Sequence, residues 1–207
     1  MASVRVKEPQ MSTVAVVINI ILVVLEVVDL IKSLPERGLM TFAFYTTLSN
    51  VMTFLSSLVL LIACAGGWMF DASGHAARLP VLLRYLATCM MLMTFVTTAF
   101  VLVPLGGSAK KLLFTEGLLH HLVCPVLCFV SYVFFEPHAR SLAWLVPVLV
   151  TFCYGMLMFR LNYLRKIDGP YPFFRVHRQG KGGTLMWMCI LTAVILVMSL
   201  VVSALAR

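Results

Sequence analysis

Charge is what this sequence has least of. Of its 207 residues only 12% are Asp, Glu, Lys or Arg, while 61% are hydrophobic, and the mean hydropathy is +1.00. A water-soluble domain is about half apolar and one quarter charged, so this balance excludes a soluble globule and a disordered tail. Histidine is scarce too: the five present, two of them the loop residues His75 and His138, leave a di-iron site or a bis-His haem bundle without its ligands. No C-x-x-C occurs. The six cysteines, Cys64, Cys89, Cys124, Cys128, Cys153 and Cys189, fall inside or at the ends of apolar runs and read as small polarizable packing residues. His120 and Cys124 have i,i+4 ligand spacing, but no carboxylate–His pair or His-rich box completes a metal shell. Internal repeats and low-complexity tracts are also missing. Acidic residues number 8 against 16 basic ones, a net charge of +8. The basic residues lie between apolar runs instead of along one face. That excludes a nucleic-acid partner and marks them as loop charges that orient spans and touch anionic lipid headgroups.

What the sequence has in abundance is long apolar runs. A helix needs about 20 apolar residues to cross the hydrocarbon core. Six stretches qualify, at roughly 12–32, 40–63, 81–104, 112–135, 142–164 and 184–206. Turn punctuation separates them, including Leu34-Pro-Glu-Arg-Gly38, Gly106-Gly-Ser108 and Glu136-Pro-His138. The runs are apolar on every face, which excludes barrel strands, and the short connections leave no room for a second domain. The expected fold is therefore all-α: a polytopic membrane protein forming a single six-span bundle over residues 1–207. The first apolar run is too long for a signal peptide and lacks a small-residue cleavage pattern, so it reads as span 1.

Six spans put both termini on one side. That side carries Arg5, Lys7, Arg78, Arg84, Arg140 and Arg207, while the other ten Lys and Arg fall on the side of the odd-numbered connections. The positive-inside rule then places the odd connections in the cytoplasm and the termini outside.

An ionisable group at mid-helix costs on the order of 3 kcal/mol to insert, so the positions of polar residues carry information. Glu26 and Asp29 lie near the end of span 1. Thr46, Thr47, Ser49 and Asn50 open span 2, Glu116, His120 and His121 open span 4, and Arg160 and Asn162 close span 5. All are near the odd-connection side, with Thr46 and His120 each about 9–12 Å below it at 1.5 Å per residue. The opposite pole offers chiefly Asn19 and Thr88. A polar pocket walled by spans 1, 2, 4 and 5 is the simplest packing that satisfies these groups.

Adjacent histidines stand about 100° apart on a helix, so only one of His120 and His121 can face the pocket centre. Glu116, one turn below His120, could accept its ring N–H and fix its tautomer. A threonine hydroxyl becomes nucleophilic when a neighbouring base takes its proton, so Thr46 and a histidine at equal depth could form a minimal nucleophile–base pair. The bland alternative is equally concrete: membrane Thr and Ser bond a carbonyl one turn back, and a histidine merely bridges helices. In the connection 165–183, Tyr171, Phe173 and Phe174 between Arg and Pro residues suit a segment lying at the lipid interface, or else a lid over the pocket.

Phe44-Tyr-Thr-Thr-Leu-Ser-Asn50, Leu118-Leu-His-His-Leu-Val-Cys-Pro125 with Phe134-Phe-Glu-Pro137, and Asp168-Gly-Pro-Tyr-Pro-Phe-Phe174 resemble, in span order, the motifs of a six-span family. That family comprises the androgen-induced and androgen-dependent integral membrane proteins of animals and many bacterial relatives. The resemblance implies a hydrolase of fatty acid esters of hydroxy fatty acids with an intramembrane threonine nucleophile and a histidine. Matched through the Phe and the Ser-Asn, the threonine is Thr46. Matched through Pro125, the histidine is His120, with His121 as fallback. The Ser-Asn and Phe-Glu-Pro forms look closer to the bacterial branch, which implies a bacterial cytoplasmic membrane.

The function expected is hydrolysis of a lipid ester. Thr46 would be the nucleophile and His120 or His121 the base, with Glu116, Asn50 and Ser49 in support, membrane lipids and an acyl ester as partners, and no cofactor or metal. The rival is a non-enzymatic lipid-binding or scaffold protein whose polar cluster satisfies itself. A transporter using Glu26, Asp29 and Glu116 ranks third, because discontinuous helices are not evident in the sequence.

Overall fold

The computed structural model describes residues 11–139 and 142–206. Arg5, Lys7, Arg140 and Arg207, which enter the charge count, lie outside the described residues, as does the rest of the segment 1–10 that precedes span 1. Helices dominate: α1 spans Thr13–Arg37, α2 Tyr45–Ala65, α3 Arg78–Thr97, α4 Cys124–Phe135, α5 Leu145–Tyr163 and α6 Val176–Leu205. Among the described residues no strand forms beyond one isolated bridge between Phe70 and Ala76. Five helices are long and apolar enough to cross a membrane, α3 counting with the π turn Thr98–Leu102 that extends it. The chain is thus an all-α bundle compatible with an integral multi-pass membrane protein.

Span 4 departs from expectation. A continuous helix over 112–135 is replaced by two pieces: a π turn at Lys110–Phe114, a break, then a second π turn Leu119–Val123 that runs into α4. The apolar helix Leu119–Phe135 is shorter than the other five. The break falls at Thr115, whose φ of −126° and ψ of −98° are not helical, and at Gly117. A Cβ on Gly117 would collide with the Leu112 carbonyl and lie 2.6 Å from His121 Nδ1. Glycine is what lets the two pieces fold so closely together. The discontinuity that the sequence conceals is therefore present.

The first two helices bury polar faces and turn apolar ones outward. On α1, Ala15, Asn19, Leu22, Glu26 and Asp29 are buried at alternating spacings of four and three, while Val17, Ile21, Val24, Val28 and Ile31 are exposed. On α2 the residues Ser49, Thr53, Ser56, Leu60 and Ala63 repeat that spacing. Small side chains let helix axes approach closely, which is how bundles associate where lipid is as apolar as leucine. Accordingly α2 packs between α1 and α3, α4 closes against α1 and α3, and α5 and α6 pair beside α3.

A second correction concerns the pole near the termini. Arg84 and Glu136 are fully buried there and bond in a fork: Arg84 Nε donates to Glu136 Oε2 at 2.8 Å and Nη2 to Oε1 at 2.9 Å. Asn19 and Ser131 donate to Glu136 Oε1 at 2.8 and 2.6 Å, and Arg84 Nη1 reaches Ser57 at 3.1 Å. This network ties α1, α2, α3 and the end of α4, so polar groups do not gather on one half of the bundle alone. Outside it, the connection 66–77 is shaped by Asp71, which accepts the backbone N–H groups of His75 and Ser73, both at 2.9 Å. Those bonds hold the Asp71 carboxyl below its usual range.

Candidate functional site

Two features lie on the odd-connection side, with α2 contributing to both. The first is a charged cluster between α1, α2 and the π turn before α4. His120 Nδ1 lies 2.6 Å from Asp29 Oδ1. Asn50 Nδ2 donates to Asp29 Oδ2 at 3.3 Å and also sits 3.3 Å from His120 Nδ1. A neutral imidazole that gives its Nδ1–H to a carboxylate keeps its lone pair on Nε2, the arrangement of a general base held by an acid. Asp29 and His120 are mostly buried, with side chains 12% and 21% exposed, so their attraction is little screened by water.

The second is an apolar cleft of about 610 Å³, its mouth included, lined by residues of α2, α3, α5, α6 and the segment after α5. Thr46 is on its wall. Its hydroxyl bonds Tyr171 OH at 3.1 Å, and its backbone N–H donates to the same oxygen at 3.3 Å. Neighbouring hydroxyls pair off as well: Tyr45 with Thr151 at 2.7 Å, and Ser49 with Thr94 at 2.9 Å. Buried Tyr171, Phe173 and Phe174 pack edge-on and stacked against one another and against Phe44, Tyr154, Phe159 and Trp187. These aromatics therefore wall the cleft, where an interfacial anchor would have turned them to lipid.

Of the residues singled out in the sequence, Asn50 and His120 meet directly. Thr46 is one turn from Asn50 on α2, and among the described residues its hydroxyl bond is to Tyr171. His120 and His121 take different partners, although their rings lie edge-on with centroids 5.6 Å apart. The first faces Asp29, and the second uses Nδ1–H to bond the Leu112 carbonyl at 2.8 Å, joining the two pieces of the broken span. Glu116 does not reach His120. It is exposed and pairs with Lys111 at 3.0 Å, because the break at 115–118 swings it off the histidine's face. Ser49 bonds the Thr46 carbonyl at 2.8 Å and so braces the helix start. Asn50, expected in support of the nucleophile–base pair, turns its amide nitrogen to Asp29. Arg160 and Asn162 stay apart from the cluster: Arg160 is exposed, while Asn162 donates to the Ile167 carbonyl at 3.1 Å and accepts the Val176 N–H at 2.8 Å. Span 5 thus walls the cleft but not the charged cluster.

Asp29 and Tyr171 are the partners that sequence reasoning did not assign. Asp29 was within reach, since it matches His120 in depth on a facing span. The lid alternative for the segment 171–174 pointed inward, but nothing in the sequence signals that Tyr171 would bond Thr46. Among the described residues no group of three His, Cys, Asp or Glu is placed to hold a metal ion. No family model, no curated protein and no solved structure matches this chain.

Proposed function

We propose that this chain is an intramembrane hydrolase of lipid esters, as its resemblance to the androgen-induced membrane proteins implies, with Thr46 as nucleophile and His120 as base. The observation that supports this reading is the Asp29–His120 contact at 2.6 Å, bound through Asn50 to α2 one turn from Thr46. An ester entering the cleft from the lipid displaces the Thr46–Tyr171 bond. The hydroxyl proton passes to His120 Nε2 while Thr46 Oγ1 attacks the carbonyl carbon. Asp29 stabilises the imidazolium, which returns the proton to the departing alkoxide. Water, deprotonated by the same imidazole, then cleaves the acyl-threonine and releases the fatty acid. Tyr171, left beside Thr46, is the nearest donor for the developing oxyanion, an interaction worth roughly 3 kcal/mol.

The bond between Thr46 and Tyr171 favours a second reading, a lipid-binding protein whose hydroxyls satisfy one another and catalyse nothing. A fluorophosphonate probe separates the two. The hydrolase requires labelling of purified protein that disappears in Thr46→Ala and falls sharply in His120→Gln. Absence of labelling, together with no turnover of a panel of lipid esters, leaves the lipid-binding reading.

A further inference from the structure

Glu26 is a buried carboxyl that neither the proposed chemistry nor the Arg84–Glu136 fork uses. It is 3% exposed, near the middle of α1, and among the described residues neither of its oxygens has a hydrogen-bonding oxygen or nitrogen partner. Its titratable neighbours are Asp29 on its own helix and the thiol of Cys124 on α4. From α2 comes Asn50, 4% exposed, whose amide nitrogen bonds Asp29 and whose Oδ1 has no partner among the described residues. His120, in the π turn before α4, is reached through Asp29. The residues Gly38–Ala43 that also pack on α1 carry no titratable group.

An ionised carboxylate is tolerated in such a place only if a cation or several donors face it, and Glu26 faces neither. The nearest charge is another carboxylate. Protonation relieves both problems at once, by removing the charge beside Asp29 and supplying an O–H. The side chains of Asp29 and His120 grow progressively more exposed from Glu26 outward, at 12% and 21%. That gradient leads from Glu26 toward the odd-connection surface.

We propose that Glu26 is a proton-binding site, a neutral carboxylic acid at physiological pH that exchanges its proton with water through the Asp29–His120 pair. The reaction is the addition of one proton to the Glu26 carboxylate and its return along the same groups, with no other reactant. It holds whether or not Thr46 is a nucleophile.

Infrared spectroscopy of the purified chain in lipid nanodiscs tests this at neutral pH. The wild-type protein should show the C=O stretch of a protonated carboxyl. The band should shift on transfer to D2O, vanish in Glu26→Gln and persist in Glu116→Gln. Exchange into D2O should be markedly slower in His120→Gln. A wild-type spectrum without the band overturns the proposal even if Glu26→Gln does not fold. A band unchanged in folded Glu26→Gln overturns it too, and exchange in His120→Gln as fast as in wild type overturns the route.

Discussion

His120 is bound to Asp29 through Nδ1, which leaves Nε2 for the proton transfer proposed above, and this fixes what an isosteric change at Asp29 would do. Asn in place of Asp keeps the shape but donates through its NH2 or presents a neutral oxygen, so the imidazole loses both its tautomer preference and the charge that stabilises its protonated form. If Thr46 and His120 act as proposed, Asp29→Asn should slow fluorophosphonate labelling of Thr46 by about 10²–10⁴-fold while leaving the protein folded. A labelling rate within about twofold of wild type would mean that Asp29 does not orient the base. Arg84 and Glu136 present the opposite case, a pair whose donors and acceptors serve one another. Replacing Arg84 with Met alone leaves Glu136 charged and buried, at roughly 3–5 kcal/mol, whereas replacing both partners with apolar residues recovers most of that. Thermal unfolding in detergent should therefore show Arg84→Met far below wild type, with Arg84→Met/Glu136→Leu between the two. A double variant worse than the single one would contradict this account.

At the level of elements, what the sequence reveals depends on how far a signal is averaged. Hydropathy sums over about 20 residues, so α1, α2, α3, α5 and α6 are each announced by their apolar runs. The break in span 4 is not announced, because the residues from Leu112 to Leu122 are apolar enough to continue a helix and the interruption depends on backbone geometry at Thr115 and Gly117. Glu116 illustrates the consequence: helical spacing puts it under His120, and the break takes it to Lys111. The Asp29–His120 contact was half legible, since matched depth pointed to facing spans without saying which acid would turn inward. Gly117 carries the test of this element. Because its Cβ position is occupied by the Leu112 carbonyl and lies 2.6 Å from His121 Nδ1, Gly117→Ala must spread the two pieces and lose the His121–Leu112 bond. The expected cost is about 1–3 kcal/mol, read as a lowered unfolding temperature. Gly155, inside α5 with nothing within 4 Å of a Cβ, is the control. There alanine should be neutral or stabilising by about 0.4–1 kcal/mol, through a less flexible unfolded chain. Equal losses at both positions would remove the structural role assigned to Gly117.

For the whole molecule, the structure sharpens the charge argument that sets its orientation. Orientation is governed by Lys and Arg in short connections near the span ends, not by every basic residue on a side. Arg84 is seven residues into α3 and fully buried against Glu136, so it is no loop charge. Removing it from the six basic residues assigned to the terminal side leaves five against the ten on the odd-connection side. The inward folding of Tyr171, Phe173 and Phe174 acts in the same direction: their burial leaves Lys166 and Arg178 of the 165–183 connection exposed, where anionic headgroups can meet them. On this count the positive-inside rule predicts that the odd connections face the cytoplasm, and with them the side on which the Asp29–His120 pair lies. Cysteines introduced singly at Ser73 and Ser108, both exposed and in connections on opposite sides, test this directly. A membrane-impermeant maleimide applied to intact cells should label Ser73→Cys above the background of the native cysteines, and should label Ser108→Cys only after the cells are permeabilised. The reverse pattern would invert the bundle and with it the face from which water reaches His120, while labelling of both in intact cells would mean that the spans between them do not cross.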